Sequence, residues 1–207
     1  MGWISTNSAL TQEQMEVNAS MVYKYFHDLG WSDNAIAGML ANMHAESTIN
    51  PGRWQNGAVG VGPAFGIVQW DPFSKIINWV QETYGPGVSP GDGYAQCARI
   101  KYEYDNGLQW ITVDRFPVYD DEGGLLYYEI PGLDWDVWIH SNDDPYYLAQ
   151  VFTTCYERPQ NAWQPWRWKR AVRWYEYITG QSWKGKMWWL YYVAGRKKRQ
   201  YQVFRNV

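Results

Sequence analysis

Two consecutive helical patterns near the start of the chain restrict the fold more than any other feature of the sequence. Thr11 begins a capping box, and apolar residues then recur at helical spacing, which predicts a helix over about residues 12–29. Ser32 can cap a second helix, and the Asn-Pro pair at 50–51 marks its end. Each helix has an apolar face to bury, so the pair predicts a mainly helical fold built around a helix hairpin.

The rest of the chain alternates helical and glycine-rich patterns. Glycines and a proline between residues 52 and 72 exclude a long helix there and favour a small β-wing. The stretch 110–140 mixes aromatic and β-branched residues with Gly and Pro turns, which predicts one or two inserted hairpins. Further helical patterns cover residues 74–84, 92–106, 145–159 and 162–179. The expected fold class is mainly α (α+β), with a small β-wing and an inserted β-rich segment.

Charge is distributed unevenly along the chain. Residues 181–207 carry 7 of the 18 Lys and Arg and no acid, whereas residues 1–180 carry 11 bases against 21 acids. This shift predicts a domain over 1–180 and a basic aromatic tail over 181–207. The acidic domain argues against nucleic acid as a partner, because phosphate contacts need basic patches. The aromatic residues of the tail argue against simple disorder and favour a docking segment.

Several other classes of protein lack support in the sequence. Cys97 and Cys155 have no CxxC spacing and are expected to be buried thiols rather than a disulfide scaffold or zinc ligands. His44 and Glu46 resemble the H-x-E motif of zinc deaminases, but the P-C-x-x-C motif that supplies the other zinc ligands is missing. We therefore expect no metal and no cofactor. The apolar run 187–194 is far shorter than the roughly 20 residues of a membrane span. The first residues lack the pattern of a signal peptide.

Glu46 is the main candidate for a catalytic group. It follows the apolar face of the second predicted helix at helical spacing and lies where that helix should end. Partial burial and the negative end of a helix dipole both favour the protonated form of a carboxyl group. A protonated carboxyl can donate its proton to a glycosidic oxygen. Periodicity alone also fits an ordinary exposed glutamate, so the neighbouring motifs decide between the two interpretations.

Three segments of the chain together resemble one family. Residues 38–51 end in Glu-Ser-Thr-Ile-Asn-Pro, residues 66–71 are Gly-Ile-Val-Gln-Trp-Asp, and residues 152–159 end in Tyr-Glu-Arg-Pro. Together they are similar to the phage tail-associated lysozymes, relatives of goose-type lysozymes and lytic transglycosylases, over about residues 10–180. The resemblance implies a lysozyme-like fold with Glu46 as the catalytic acid, in a cleft that binds glycan strands of peptidoglycan.

The candidates for substrate contact lie in or near these motifs: Trp54, Gln69, Trp70, Asp71, Tyr156 and Glu157. The three aromatic rings offer flat faces for a pyranose, and the glutamine amide can satisfy sugar hydroxyls, although core packing is the commoner fate of any single ring. Asp71 and Glu157 are the candidates for a second carboxylate. A structural ion pair between Glu157 and Arg158 or another base is at least as good an interpretation of Glu157.

The resemblance also implies what the protein does. Proton donation by Glu46 followed by attack of water would make the chain a muramidase, whereas attack by the 6-hydroxyl of the substrate would make it a lytic transglycosylase. A structural or wall-binding tail protein with a degenerate lysozyme fold is the non-enzymatic alternative. The resemblance places the protein on a virion, at the tail tip or knob, where local wall digestion would aid genome delivery. The tail 181–207 would then contact other tail proteins.

Overall fold

A computed structural model describes residues 2–60, 62–119, 124–130 and 132–184 of the chain. Over these residues the protein is mainly helical, as predicted. A turn of π-helix, Thr153–Glu157, directly follows the helix Pro145–Phe152. The elements in chain order are α1 (Gln12–Asp28), α2 (Asp33–Ser47), α3 (Ser74–Tyr84), α4 (Gly93–Asp105), β1 (Arg115–Tyr119), β2 (Leu125–Glu129), α5 (Trp135–His140), α6 (Pro145–Phe152) and α7 (Pro165–Thr179).

Helix α2 is the central element of the core. Every residue from 34 to 43 is buried, and the helix packs against α1 on one side and against α6 and α7 on the other. Its small residues allow close helix contacts: a Cβ atom added to Gly38 would lie 2.8 Å from the backbone nitrogen of Ala149 in α6. The predicted hairpin of α1 and α2 is confirmed, including the capping box at Thr11.

Large aromatic side chains fill much of the space around α2. Trp138, Trp168 and Phe152 are fully buried, and the indole nitrogen of Trp138 donates to the carbonyl of Leu148 at 2.9 Å. Cys97 and Cys155 are both free and buried, as predicted, and burial raises the pKa of both thiols. The indole nitrogen of Trp168 likewise donates to the hydroxyl of Thr153 at 2.9 Å, so hydrogen bonds as well as packing fix these rings beneath the site.

The β structure is limited. Strands β1 and β2 form an antiparallel hairpin within 110–140, with Arg115 opposite Glu129, and α5 follows it. In the described part of 52–72 the only β pairing is a pair of isolated bridges, from Trp54 to Phe65 and from Phe65 to Trp70. Several residues of this segment, glycines among them, adopt positive φ, which interrupts extended pairing. A β-wing in the sense of a sheet is therefore absent from the described residues of 52–72.

None of the helices in the described ranges is long and apolar enough to cross a membrane. The predicted docking tail, 181–207, lies outside the described residues except for 181–184.

Candidate active site

The segment that follows α2 turns the chain sharply. Thr48 and Ile49 both adopt left-handed backbone angles, with φ of 61° and 54°, which residues other than glycine rarely do. Ser47 stabilises the turn, since its hydroxyl donates to the carbonyl of Ile67 at 2.9 Å and accepts from the amide of Asn50 at 3.0 Å. Strained backbone of this kind persists where its surroundings fix it. The polar residues of the first motif therefore shape the loop at the end of α2.

Glu46 lies in the last turn of α2 and is partly open to solvent, with 22% of its side chain exposed. Its Oε1 atom forms an ion pair with Nη1 of Arg167 at 2.7 Å, and the same nitrogen donates a hydrogen bond to Oδ1 of Asn42 at 3.2 Å. Asn42 precedes Glu46 by one helical turn, so both side chains lie on one face of α2. Arg167 is buried at the start of α7 and fixes the Glu46 carboxylate from the protein side.

Glu157 lies beside these groups at the end of the π-helical turn. Burial, and after it the negative charge of Glu46, raises the pKa of Glu157 well above its ordinary value, while the positive charge of Arg167 acts in the opposite direction. The Oε1 atom of Glu157 is buried and has no hydrogen-bond partner among the described residues. The environment therefore favours the protonated form of Glu157.

Arg158 does not form an ion pair with Glu157 in the described structure. It adopts a left-handed conformation with φ of 49°, and its Nη1 atom donates to the carbonyl of Cys155 at 2.9 Å and to that of Gln109. The Gln109 amide in turn donates to the carbonyl of Tyr156 at 3.0 Å. The alternative of an ion pair with Arg158 thus finds no support among the described residues, because the Arg158 guanidinium donates to backbone carbonyls instead.

Glu103 of α4 connects the second and third motifs. Its side chain is 1% exposed and accepts from the indole nitrogen of Trp70 at 2.9 Å, from Nε of Arg99 at 3.0 Å and from the hydroxyl of Tyr156 at 2.6 Å. Trp70 is 3% exposed and Tyr156 is 1% exposed. Both rings thus lie in the core of this conformation, where they support the site and are not open to a sugar.

The glutamine of the second motif is also engaged with the protein. The Nε2 atom of Gln69 donates to the carbonyls of Arg53 at 2.9 Å and Gly66 at 2.8 Å. Gly66 itself has φ of 95°, and a Cβ atom added there would lie 2.9 Å from the side chain of buried Gln96. Gln96 accepts from the amide of Ile67 at 2.8 Å. The segment 66–71 is therefore held rigidly against α4.

Trp54 and Asp71 lie at the edge of this region. Trp54 is half-buried, and its ring centre is 4.7 Å from that of Phe65 and 5.3 Å from that of Phe73. Asp71 is exposed. Among the described residues, no hydrogen bond or ion pair connects either of them to Glu46. The structure thus brings together Glu46 and Glu157, and separately Trp70 and Tyr156.

Sequence reasoning did not identify Arg167 or Glu103. Both are charged residues on otherwise buried helix faces: Arg167 shares its face with Ala171 and Trp174, and Glu103 shares its face with Ile100. A charged residue on an otherwise apolar helix face was the feature of the sequence that could have identified both residues, because a buried charge requires a partner. The described residues contain no group of three or more His, Cys, Asp or Glu side chains arranged to hold a metal ion.

The class of protein follows from comparison with known families. The family model of the phage tail lysozymes matches residues 17–178, so the chain belongs to the phage tail lysozyme family. The predicted resemblance is thereby confirmed. A particular relative is Morphogenesis protein 1 of Bacillus phage B103, which is 36% identical over 181 residues. That alignment covers 86% of this chain and 44% of the relative, so the chain spans less than half the length of that protein. Both comparisons support a phage-associated, lysozyme-like role.

Proposed function

We propose that this chain is a muramidase that cleaves the glycan strand of peptidoglycan, with Glu46 as the proton donor. The observation that carries the proposal is the arrangement at the end of α2. There a partly open carboxyl is fixed by a buried arginine and lies beside a second carboxyl, Glu157, whose pKa is raised. The family supports the same reaction class. We assign the catalytic domain to residues 1–180.

In the proposed mechanism one proton serves the pair of carboxyls. Glu157, whose Oε1 atom is buried, holds that proton, and Glu46, whose side chain reaches solvent, passes it to the glycosidic oxygen. The bond between C1 and that oxygen then breaks and leaves an oxocarbenium-like centre at C1. Water adds to C1, and its proton returns to the carboxyl pair. Arg167 keeps Oε1 of Glu46 in place throughout.

A lytic transglycosylase is the second candidate, and the state of Glu157 favours it. In the resting site a protonated Glu157 cannot activate water while the glycosidic bond breaks, which disfavours single-step, inverting hydrolysis. Glu46 alone would then act first as acid and later as base toward the 6-hydroxyl of the substrate. The products distinguish the two reactions, since water gives a reducing muramic end and the hydroxyl gives a 1,6-anhydro end.

We assign substrate contact to the residues that remain accessible. Trp54 and Asp71 lie at the surface of the 52–72 segment, and Gln69 is partly exposed. Trp70 and Tyr156 are assigned a supporting role through Glu103 instead of sugar stacking. A wall-binding or structural tail protein would keep the same residues but would not cleave the strand.

We also propose that the protein acts from the virion, at the tip or knob of the tail. The name of the family and the morphogenesis protein of phage B103 support a place in the particle. The tail 181–207, with 7 basic residues and no acid, would contact acidic surfaces of neighbouring tail proteins. Local wall cleavage at that position would aid genome delivery.

Mass spectrometry of fragments released from purified peptidoglycan tests the proposed reaction. Glu46→Gln removes the acidic proton with little change in shape and should lower kcat by about 10²–10⁴. Glu82→Gln, on the exposed face of α3, is the matched control and should retain full activity. Muramic reducing ends from the wild type would support the muramidase, and anhydro ends the transglycosylase. Absence of cleavage by folded wild type on several wall types would refute both.

A further inference from the structure

A stripe of arginines runs along α7, starting at the arginine that holds Glu46. Arg167, Arg170 and Arg173 repeat every third residue, so each is a neighbour of the next on the helix surface and the row winds around α7. Burial decreases along this arginine stripe, since Arg167 is buried, Arg170 is half-buried and Arg173 is exposed. The stripe therefore leads from the carboxylate of Glu46 to the protein surface.

The outer part of the arginine stripe has no acidic partner within the described ranges of the chain. Arg167 pairs with Glu46, but neither Arg170 nor Arg173 forms an ion pair with an acid in the described residues. The guanidinium of Arg170 lies over the ring of Trp166, 4.9 Å from its centre. The segment 181–207 contains no acid that could neutralise the stripe. In the part of the chain that the structure describes, these two guanidinium groups thus have no anionic partner, which leaves their charge available for an external anion.

The positive charge is also concentrated against the composition of the domain. Residues 167–173 hold 4 of the 11 bases found in residues 1–180, where acids number 21. Because the rest of the domain is acidic, a negatively charged ligand is attracted to this positive region of α7 and repelled elsewhere. The neighbouring positive charges affect Arg170 directly: burial is the largest cause that lowers its pKa, and the charges of Arg167 and Arg173 lower it further.

The positive charges of Arg170 and Arg173 also affect His44 of α2. Burial is the largest cause, and the charges of Arg170 and Arg173 add to it, so that the pKa of His44 is lowered to about 4. Its ring contacts Trp174 at 5.8 Å between centres, and its Nδ1 atom is buried without a partner among the described residues. His44 is therefore neutral near pH 7 and leaves the arginines as the charged groups of this surface.

We propose that Arg170 and Arg173 bind a free carboxylate of the peptide stem that is attached to the glycan strand. This inference rests on the proposed function, because it places the strand at Glu46. A guanidinium matches a carboxylate through two parallel hydrogen bonds, and the ring of Trp166, 53% exposed, holds the guanidinium plane of Arg170 at the surface. The peptide stems are covalently joined to the glycan strand. A strand bound at Glu46, where the arginine stripe begins, therefore brings the carboxylates of its stems close to Arg170 and Arg173. The stripe would make the site selective for strands that bear peptide.

Two substrates with and without stems test the proposal. The first is peptidoglycan freed of teichoic acid, and the second is the same glycan after an amidase has removed the stems. Arg170→Gln/Arg173→Gln should lower kcat/KM about tenfold on the first substrate and leave it unchanged on the second. Lys75→Gln/Lys184→Gln removes two exposed charges elsewhere and should match the wild type on both. Arg173→Gln alone affects an exposed side chain and should give a smaller loss of the same kind.

The outcomes separate this proposal from the proposed function. Equal losses on both substrates would overturn the stem-carboxylate site, and so would a loss seen only on walls that keep their teichoic acid. If the wild type cleaves neither substrate, a binding measurement tests the stem-carboxylate site instead. The Glu46→Gln protein is titrated with a soluble muropeptide and with the same muropeptide after amidation of its stem carboxylates, and the two affinities are compared. A preference for the free carboxylate that Arg170→Gln/Arg173→Gln abolishes would support the stripe, whereas equal affinities would overturn it.

Discussion

Replacing Glu103 with leucine should destabilise the protein strongly, because three donors would lose their acceptor inside the core. The donors are the indole of Trp70, Nε of Arg99 and the hydroxyl of Tyr156, at 2.9, 3.0 and 2.6 Å. A buried donor without a partner costs about 1–3 kcal/mol, and breaking a buried ion pair costs about 3–5 kcal/mol. Arg99 is 13% exposed and recovers part of its loss from water. We expect a loss of about 4 kcal/mol, which lowers Tm by roughly 8–16 °C in a chain of this size.

The matched variant is Glu103→Gln, which keeps one oxygen for Trp70 and Arg99 and should cost about 1–2 kcal/mol. Urea unfolding of both variants, combined with Tyr156→Phe, forms a double-mutant cycle. Tyr156→Phe should destabilise the wild type and stabilise the leucine variant, where the hydroxyl has no acceptor. If the two Glu103 variants unfold within about 1 kcal/mol of each other, or if Tyr156→Phe acts equally in both backgrounds, the reasoning fails.

Two further predictions concern the pH dependence and the packing of the site. Because the pKa of Glu157 is raised, its contribution to stability is complete below the unfolded carboxyl pKa of about 4.3 and is lost as pH rises through the folded pKa. Glu157→Gln should reduce the fall in the urea midpoint as pH rises above the unfolded carboxyl pKa of about 4.3, and an unchanged fall would contradict this cause. Gly38→Ala places a methyl group 2.8 Å from the backbone of Ala149 and should cost about 1–3 kcal/mol by thermal unfolding. Gly87→Ala, with open space around it, is the control, and equal Tm values would show that α2 and α6 can separate without loss.

The helices that carry the site could be predicted from local patterns. The capping residues and the apolar spacing of α1 and α2 determine where these helices begin and end within about two residues, because both signals act over one or two turns. The position of Glu46 at the end of α2 follows directly. Start signals were less precise for α7, which begins at Pro165 and not at Ala162, since the proline is favoured in the first turn.

The partners of Glu46 could not be predicted in the same way. Arg167 is 121 residues away along the chain, and Glu103 meets Trp70 and Tyr156 across three separate elements. Such pairs depend on how helices pack, and spacing within one helix contains no information about that packing. For the same reason the sequence did not show that these two rings face the core instead of the cleft.

The pattern of charges explains why Glu157, of the three glutamates in this interior, should carry the proton. Glu103 is paired with Arg99 and Glu46 with Arg167, each at 3.0 Å or less. The arginine next to Glu157 in sequence is turned toward backbone carbonyls, which leaves the third carboxyl without a cation of its own. A buried carboxyl without a counter-charge takes up a proton. That proton lies beside the glutamate that reaches solvent, so the fold itself supplies the proton that the proposed reaction requires.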